Sequence, residues 1–260
     1  MPTPFPETVA AFYDAAAERI LDSELLFLNY GFEDNGALGE EWLDPADRDH
    51  RLHLNLIRHL LLGVELDGKS VLEVSCGRGG NCGYIAKYTG ADSVIGVDRC
   101  VGTLRLSRDK PSLEGVTFLA ADAEHLSFPA HAFDVVVNLE AAHCYGGFEQ
   151  FLAEVFRVLA PGGMFCFADI WGLDYLDVDW IRREAEIAAS GFEMLSAEDI
   201  SKPVLSALER KDEGVYDFFS PRPGADGAAL RARVTEITNQ VRTLLALEAC
   251  SYRLWRFQKP

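Results

Sequence analysis

Three carboxylates stand at or near the ends of successive apolar runs in this 260-residue chain. Glu73 lies in VLEVSCGRGGN (71–81), Asp98 closes DSVIGVD (92–98) and Asp122 closes GVTFLAAD (115–122). Glycines 77, 79, 80 and 83 follow the first acid. An apolar run, a glycine turn and a helix together mark the place where open α/β sheets hold nucleotide-like ligands, beyond the carboxyl ends of the strands. The dinucleotide fingerprint G-x-G-x-x-G fails, because Cys82 stands at its third glycine, and no Gly-Lys-Ser/Thr follows to make a phosphate loop. A pyrophosphate wants backbone N–H groups and a helix N-terminus, with no acid beside them. A ligand with an ammonium and a sulfonium wants the acid. S-adenosyl-L-methionine carries both charges, one carboxylate and no phosphate. Asp98 is placed to accept both ribose hydroxyl hydrogens, as it would for NAD, and Asp122 to take the adenine amino group. Singly, each acid could instead cap the helix that follows it. Three of them around one glycine turn favour the cofactor.

A second group of residues follows the fourth and fifth apolar runs. His143 lies in FDVVVNLEAAHCY (133–145), and Asp169 lies in GMFCFADI (163–170). An imidazole titrates near neutrality and is the natural base at such a place. Asp169 is the candidate to orient it or to hold the imidazolium, with Glu140 a second candidate partner. An aliphatic hydroxyl is a poor nucleophile and needs a base to take its proton, whereas an amine needs little help. The plain alternative is that His143 packs under a lid with its ring satisfied by backbone. His50, His53, His59, His125 and His131 lack a comparable placement; His50 and His53 could reach the substrate from the second helix, but they read first as helix-surface residues.

The elements that must position these groups follow from periodicity. Residues 7–29 read as a helix with a broad apolar face, NYGFEDNGALGE as a loop, and HRLHLNLIRHLLLG as a second helix ending at Gly63. Five strands follow, at 70–75, 92–98, 115–122, 133–139 and 163–170, with helices near 80–89, 101–110 and 147–160. Pro161, Gly162 and Gly163 are expected to stop the last helix. Unbroken Val/Ile runs predict strands buried on both faces, hence a parallel sheet between layers of helix. Beyond 170 the spacing predicts a helix over 175–190, a further strand at GFEML, mostly helix over 197–247 around SPRPGADG, and a closing strand at SYRLWRF. Trp171, Tyr175, Trp180, Phe192, Tyr216, Phe218, Phe219 and Trp255 are candidates for an apolar pocket, with core packing the alternative for about half of them.

The bulk numbers narrow the partners. A net charge of −17 opposes nucleic-acid phosphates and anionic membranes. No apolar run is long enough to span a bilayer, and the start lacks a basic n-region, so a cytoplasmic protein is expected. Six cysteines without a C-x-x-C pair read as free thiols with no metal site, though Cys76 and Cys82 could touch. The fourth strand is followed by NLEAAHCY, with no Asp/Asn-Pro-Pro-aromatic turn, which argues against nucleobase methylation.

With LEVSCGRGG, FDVVVNLEAAHCY, FLAEVFRVLAPGG, ADI, SYRLWRF and ILDSELLFLNYGFED in view, the chain resembles the class I S-adenosylmethionine-dependent methyltransferases. More narrowly it resembles the small-molecule O-methyltransferases of bacterial lipid and polyketide pathways, the phthiotriolone and phenolphthiotriolone dimycocerosate methyltransferases among them. The resemblance implies an α/β fold: a Rossmann-like, doubly wound, mostly parallel seven-stranded sheet with an N-terminal helical lid and a helical cap inserted before the last strand. It divides the chain into a lid (1–63), a cofactor-binding core (64–170), substrate-shaping helices and cap (171–247) and a closing strand (248–260). It assigns Glu73, Ser75, Gly77, Asp98, Arg99, Asp122, Ala123 and Leu139 to the cofactor, with Asn29 and Tyr30 closing over it. It implies O-methylation of a hydrophobic secondary metabolite by a monomer or homodimer. Cyclisation or rearrangement on the same fold, N- or C-methylation, and a cofactor-sensing module are the rivals.

Overall fold

Val71 and Leu72 are both fully buried, yet they join different apolar clusters. Successive side chains of a strand point to opposite faces, so a strand buried at every position needs cover on both sides. The same alternation runs through Val135, Val136 and Val137, and through Phe165, Cys166 and Phe167. The computed structural model describes residues 26–37, 39, 41–108, 110–172, 180–211 and 227–260. It shows one seven-stranded sheet in the order β3-β2-β1-β4-β5-β7-β6. The strands are β1 (Ser70–Val74), β2 (Ser93–Asp98), β3 (Val116–Ala120), β4 (Phe133–Leu139), β5 (Leu159–Trp171), β6 (Glu193–Asp199) and β7 (Ser251–Gln258). Neighbours from β3 through β5 pair in parallel, while β7 runs antiparallel between β5 and β6.

The described helices are α1 (Arg51–Leu60), α2 (Gly80–Tyr88), α3 (Val101–Arg108), α4 (Phe148–Val158), α5 (Trp180–Ala189), α6 (Ser201–Lys211) and α7 (Gly227–Ala246). One layer packs Leu56, Ile57 and Leu60 of α1 and Ile85 of α2 against the sheet, and the other packs Phe151, Leu152 and Val155 of α4. Strand order reverses between β1 and β4, so their carboxyl ends flank the crevice where ligands bind in such sheets. Glu73 and Ser75 stand at one of those ends, and Leu139 and Glu140 at the other.

Several expectations need correction. Residues 1–25 lie outside the described residues, and Leu26–Asn29, expected to end a helix, is not helical. Helix α4 stops at Val158, three residues before Pro161, with Leu159 already extended. The residue before a proline is pushed out of the helical region, so the strand starts ahead of the glycines rather than after them. β3 is an edge strand with only Phe118 buried, not a strand covered on both faces. The sixth strand continues to Asp199, so it takes the first residues expected to be helical. Trp171, Phe192 and Trp255 do not form a pocket. Phe167 stacks on Trp255 at 5.1 Å, Trp171 meets Trp255 edge-on at 5.0 Å, and Phe192 packs against Phe165 and Phe257, which is core. Tyr175, Tyr216, Phe218 and Phe219 lie outside the described residues, as does the side chain of Trp180.

Candidate active site

The two strand ends that flank the crevice both turn through left-handed backbone. Ser75 has φ 59° and Glu140 has φ 53°, a region that non-glycine residues rarely adopt. Gly77 and Gly79 continue the first turn at φ 55° and 80°. Gly80 then opens α2 against Leu26 and Phe27. A Cβ on it would lie 2.6 Å from Phe27 Cδ1 and 2.7 Å from the Leu26 carbonyl oxygen. Gly80→Ala must therefore push Leu26 and Phe27 away. Overpacking of this kind costs ~1–3 kcal/mol, so affinity for S-adenosylhomocysteine is expected to fall about tenfold in a calorimetric titration. Unchanged affinity would show that the lid takes no part in holding the cofactor.

One cavity collects every candidate except Asp169: Asn29 and Tyr30 ahead of α1, Glu73, Ser75 and Gly77 from β1 and its turn, and Asp98 and Arg99 at the end of β2. Asp122 and Ala123 after β3, Leu139 and Glu140 at the end of β4, and His143 complete it. Asp169 lies under the cavity wall, 1% exposed.

Glu73 is also 1% exposed. Its Oε1 accepts a hydrogen bond from Asn81 Nδ2 at 2.8 Å, and its Oε2 accepts one from the Cys82 thiol at 2.8 Å. Burial pushes its carboxyl up to about 7, against the lowering effect of the Cys82 and Asn81 donors. Among the described residues no basic side chain pairs with it. A buried carboxylate without a cation is costly, and a cationic ligand in the cavity would relieve that cost. The residues therefore fit a cofactor with an ammonium group.

Asp98 uses Oδ2 to accept the Gly77 N–H and Oδ1 to accept the Cys100 N–H, both at 2.8 Å. It is thus part helix cap, as the plain alternative has it, and part anchor of the glycine turn. Asp122 lies two residues past β3 and accepts the Glu124 N–H at 3.0 Å.

His143 sits in a short turn, Ala142–Cys144. Asp169 grips it twice, accepting the backbone N–H of His143 at 2.8 Å and meeting Nδ1 at 2.7 Å. Burial works against a charge on this imidazole, yet the Asp169 carboxylate, with Cys144 contributing, holds it well above its usual range. Glu140 is engaged elsewhere: its Oε1 accepts the Tyr30 N–H at 2.8 Å and the Tyr252 hydroxyl at 2.7 Å, tying Tyr30 to β7.

Other residues at the site were not picked out from the sequence. The Ser75 and Tyr145 hydroxyls share a 2.6 Å hydrogen bond, and Asn138 Nδ2 donates to Tyr145 Oη and to the Val74 carbonyl, both at 2.9 Å. A lone Asn in the run FDVVVNL was the available signal. Arg183 of α5 donates to the carbonyls of Ala142 and Tyr145, bracketing His143, and nothing in IRREAE sets that arginine apart. His53 is not a helix-surface residue. It is 6% exposed, stacked on Phe27 at 5.4 Å and bonded to Asn29. Cys76 and Cys82 do approach one another, since both sulfurs lie within 2.9 Å of where a Gly96 Cβ would stand.

Comparison with known proteins agrees with this geometry. A family profile described as a methyltransferase domain matches residues 72–167. The chain is similar to a phthiotriol/phenolphthiotriol dimycocerosates methyltransferase of Mycobacterium tuberculosis, 33% identical over 249 residues that cover 95% of this chain and 90% of that one. It is also similar to a fatty-acid O-methyltransferase of Mycolicibacterium smegmatis, 32% identical over 254 residues, covering 95% and 88%. Among solved structures, the geranyl diphosphate C-methyltransferase of Streptomyces coelicolor A3(2), with S-adenosyl-L-homocysteine bound, shares the fold at a TM-score of 0.71 and 17% identity, covering 100% of this chain and 99% of that one. The (4+2)-cyclase SpnF shares it at 0.70 and 20%, covering 100% and 97%. The chain belongs to the S-adenosyl-L-methionine-dependent methyltransferases.

Proposed function

We propose that this methyltransferase acts on a hydroxyl of a hydrophobic, polyketide- or lipid-like small molecule, with His143 as general base. The observation that carries the reading is the His143–Asp169 pair, in which a buried carboxylate fixes Nδ1 and leaves the rest of the ring on the cavity wall. Bound S-adenosyl-L-methionine supplies an electrophilic methyl group for in-line displacement. The chain's residues do the rest. Glu73 faces the ammonium, Asp98 the ribose, and Asp122 the adenine, while Asn29 and Tyr30 close from above. His143 takes the hydroxyl proton as the acceptor oxygen attacks, and Asp169 stabilises the imidazolium that results. Asp169 rather than Glu140 is the partner this reading uses. Residues 1–63 act as lid and 171–247 shape the acceptor pocket on a core formed by 64–170 and 248–260.

The names of the similar proteins, a lipid methyltransferase and a fatty-acid O-methyltransferase, support an apolar acceptor. Among the described residues no helix is long and apolar enough to cross a membrane.

One observation favours a second reading. The Asp169 carboxylate raises the His143 pKa and so favours the imidazolium, and an imidazolium would pair with an acceptor carboxylate instead of deprotonating a hydroxyl. The two readings have opposite signs. A base must be neutral, so kcat/KM for a hydroxyl acceptor rises as pH climbs through the raised His143 value. A charged anchor must be protonated, so kcat/KM for a carboxylic acid falls over the same interval. The expected result is a rising profile with long-chain alcohols and polyketide phenols. A falling profile, with fatty acids turned over in preference, would assign the anchor role.

A further inference from the structure

We infer that Asn81 is a positioning residue that ties the lid to the cofactor's acid through a one-way hydrogen-bond chain, His53–Asn29–Asn81–Glu73. His53 Nδ1 lies 2.9 Å from Asn29 Oδ1, and that oxygen also accepts the Gly31 N–H at 3.0 Å. The imidazole nitrogen is therefore the donor. Asn29 Nδ2 donates to Asn81 Oδ1 at 3.1 Å, and Asn81 Nδ2 donates to Glu73 Oε1 at 2.8 Å. From side chain to side chain every donor points toward the carboxylate, so each bond polarises the next, while Asn29 Nδ2 also donates to the His53 carbonyl at 3.4 Å. His53, Asn29 and Glu73 are buried, and Asn29, Asn81 and Glu73 line the cofactor cavity. An amide is the side chain that position 81 needs, since it accepts from the lid on one side and donates to the acid on the other.

The chain links the state of Glu73 to the lid. A carboxylate is a strong acceptor and draws the amides tight, whereas a protonated carboxyl is a weaker one. Burial pushes Glu73 up to about 7, so both states are populated near neutrality. A cation arriving in the cavity favours the charged form, expels the proton and tightens the chain across Asn29. Glu73 feels Asp98 from β2, Cys82 from α2 and Cys76 from the glycine turn, and His53 of α1 through the chain. Arg78, Arg99, Asp122, Glu124, Glu140 and His143 line the rest of the same cavity. The inference rests on the proposal that Glu73 faces the cofactor's ammonium.

The test is titration calorimetry with S-adenosylhomocysteine at pH 7, in two buffers of different ionisation enthalpy, so that proton release is measured along with affinity. The proteins are wild type, Asn81→Ala, Asn29→Ala, the double variant and Glu73→Gln, each checked for an unchanged melting temperature. Wild type should release a measurable fraction of a proton, and Glu73→Gln should abolish that release. Asn81→Ala removes a donor that favours the charged form, so Glu73 rises further. Release then moves toward one proton while affinity falls about tenfold. The double variant should lose less than the sum of the single losses, because the chain is already broken. A role confined to packing would not change proton release. Unchanged release in Asn81→Ala, with release abolished in Glu73→Gln, would overturn the inference. Unchanged affinity and release in Glu73→Gln would instead remove the placement of Glu73 on which it stands.

Discussion

Asp98→Ala is expected to lower affinity for S-adenosylhomocysteine at least about a hundredfold. Hydrogen bonds to a charged group are worth ~1.5–3 kcal/mol each, and two ribose hydroxyls would lose their acceptor together. The loss is compounded by the protein itself. Asp98 holds the Gly77 N–H and the Cys100 N–H, so its removal frees the glycine turn as well as the ligand. If the carboxylate were only the cap of α3, alanine would cost ~1 kcal/mol of stability and leave the affinity of the folded molecule nearly intact. Calorimetry and thermal unfolding on the same samples separate the two. A lower melting temperature with unchanged affinity would leave Asp98 as a cap alone.

His143→Ala is expected to reduce kcat for a hydroxyl acceptor by ~10²–10⁴, the usual worth of a positioned general base. Affinity for S-adenosylhomocysteine should change no more than a few-fold, because the proposed function gives the cofactor's ammonium and ribose to Glu73 and Asp98. Asp169→Asn should fall most of the same way, since the carboxylate takes both the backbone N–H and Nδ1 of His143 and fixes the ring and its tautomer. An amine acceptor would lose little in either variant. Near-wild-type turnover of an alcohol by His143→Ala would mean that alignment alone suffices and that the histidine is packing.

The elements of the core were legible because their signals are local. FDVVVNL is read as a strand with the bounds that the structure shows, and the three acids fall into one cavity because parallel strands bring their carboxyl ends to one edge. What the sequence did not show depends on long-range contact. His53 looked like a surface residue of an amphipathic helix, and only the fold brings Phe27 over its ring and Asn29 to its nitrogen. Glu140 stood as a second candidate beside Asp169 for His143, and only the register of β4 and β5 and the left-handed turn at Glu140 show that Asp169 meets the ring while Glu140 meets Tyr30 and Tyr252. Trp171 and Trp255 read equally well as pocket or core, and the antiparallel return of β7 against β5 decides for core. The pocket for the acceptor is the part least written in local pattern, since an acceptor's shape is met by side chains far apart in the sequence.

The most direct measurement is the mass of the product. Purified protein would be incubated with S-adenosyl-L-methionine carrying a deuterated methyl group and a panel of hydroxylated polyketides and long-chain alcohols. The account predicts a product one labelled methyl heavier, with that methyl on oxygen, and loss of this product in His143→Ala. An acceptor converted to a product of unchanged mass would contradict it and point to cyclisation or rearrangement on the same fold.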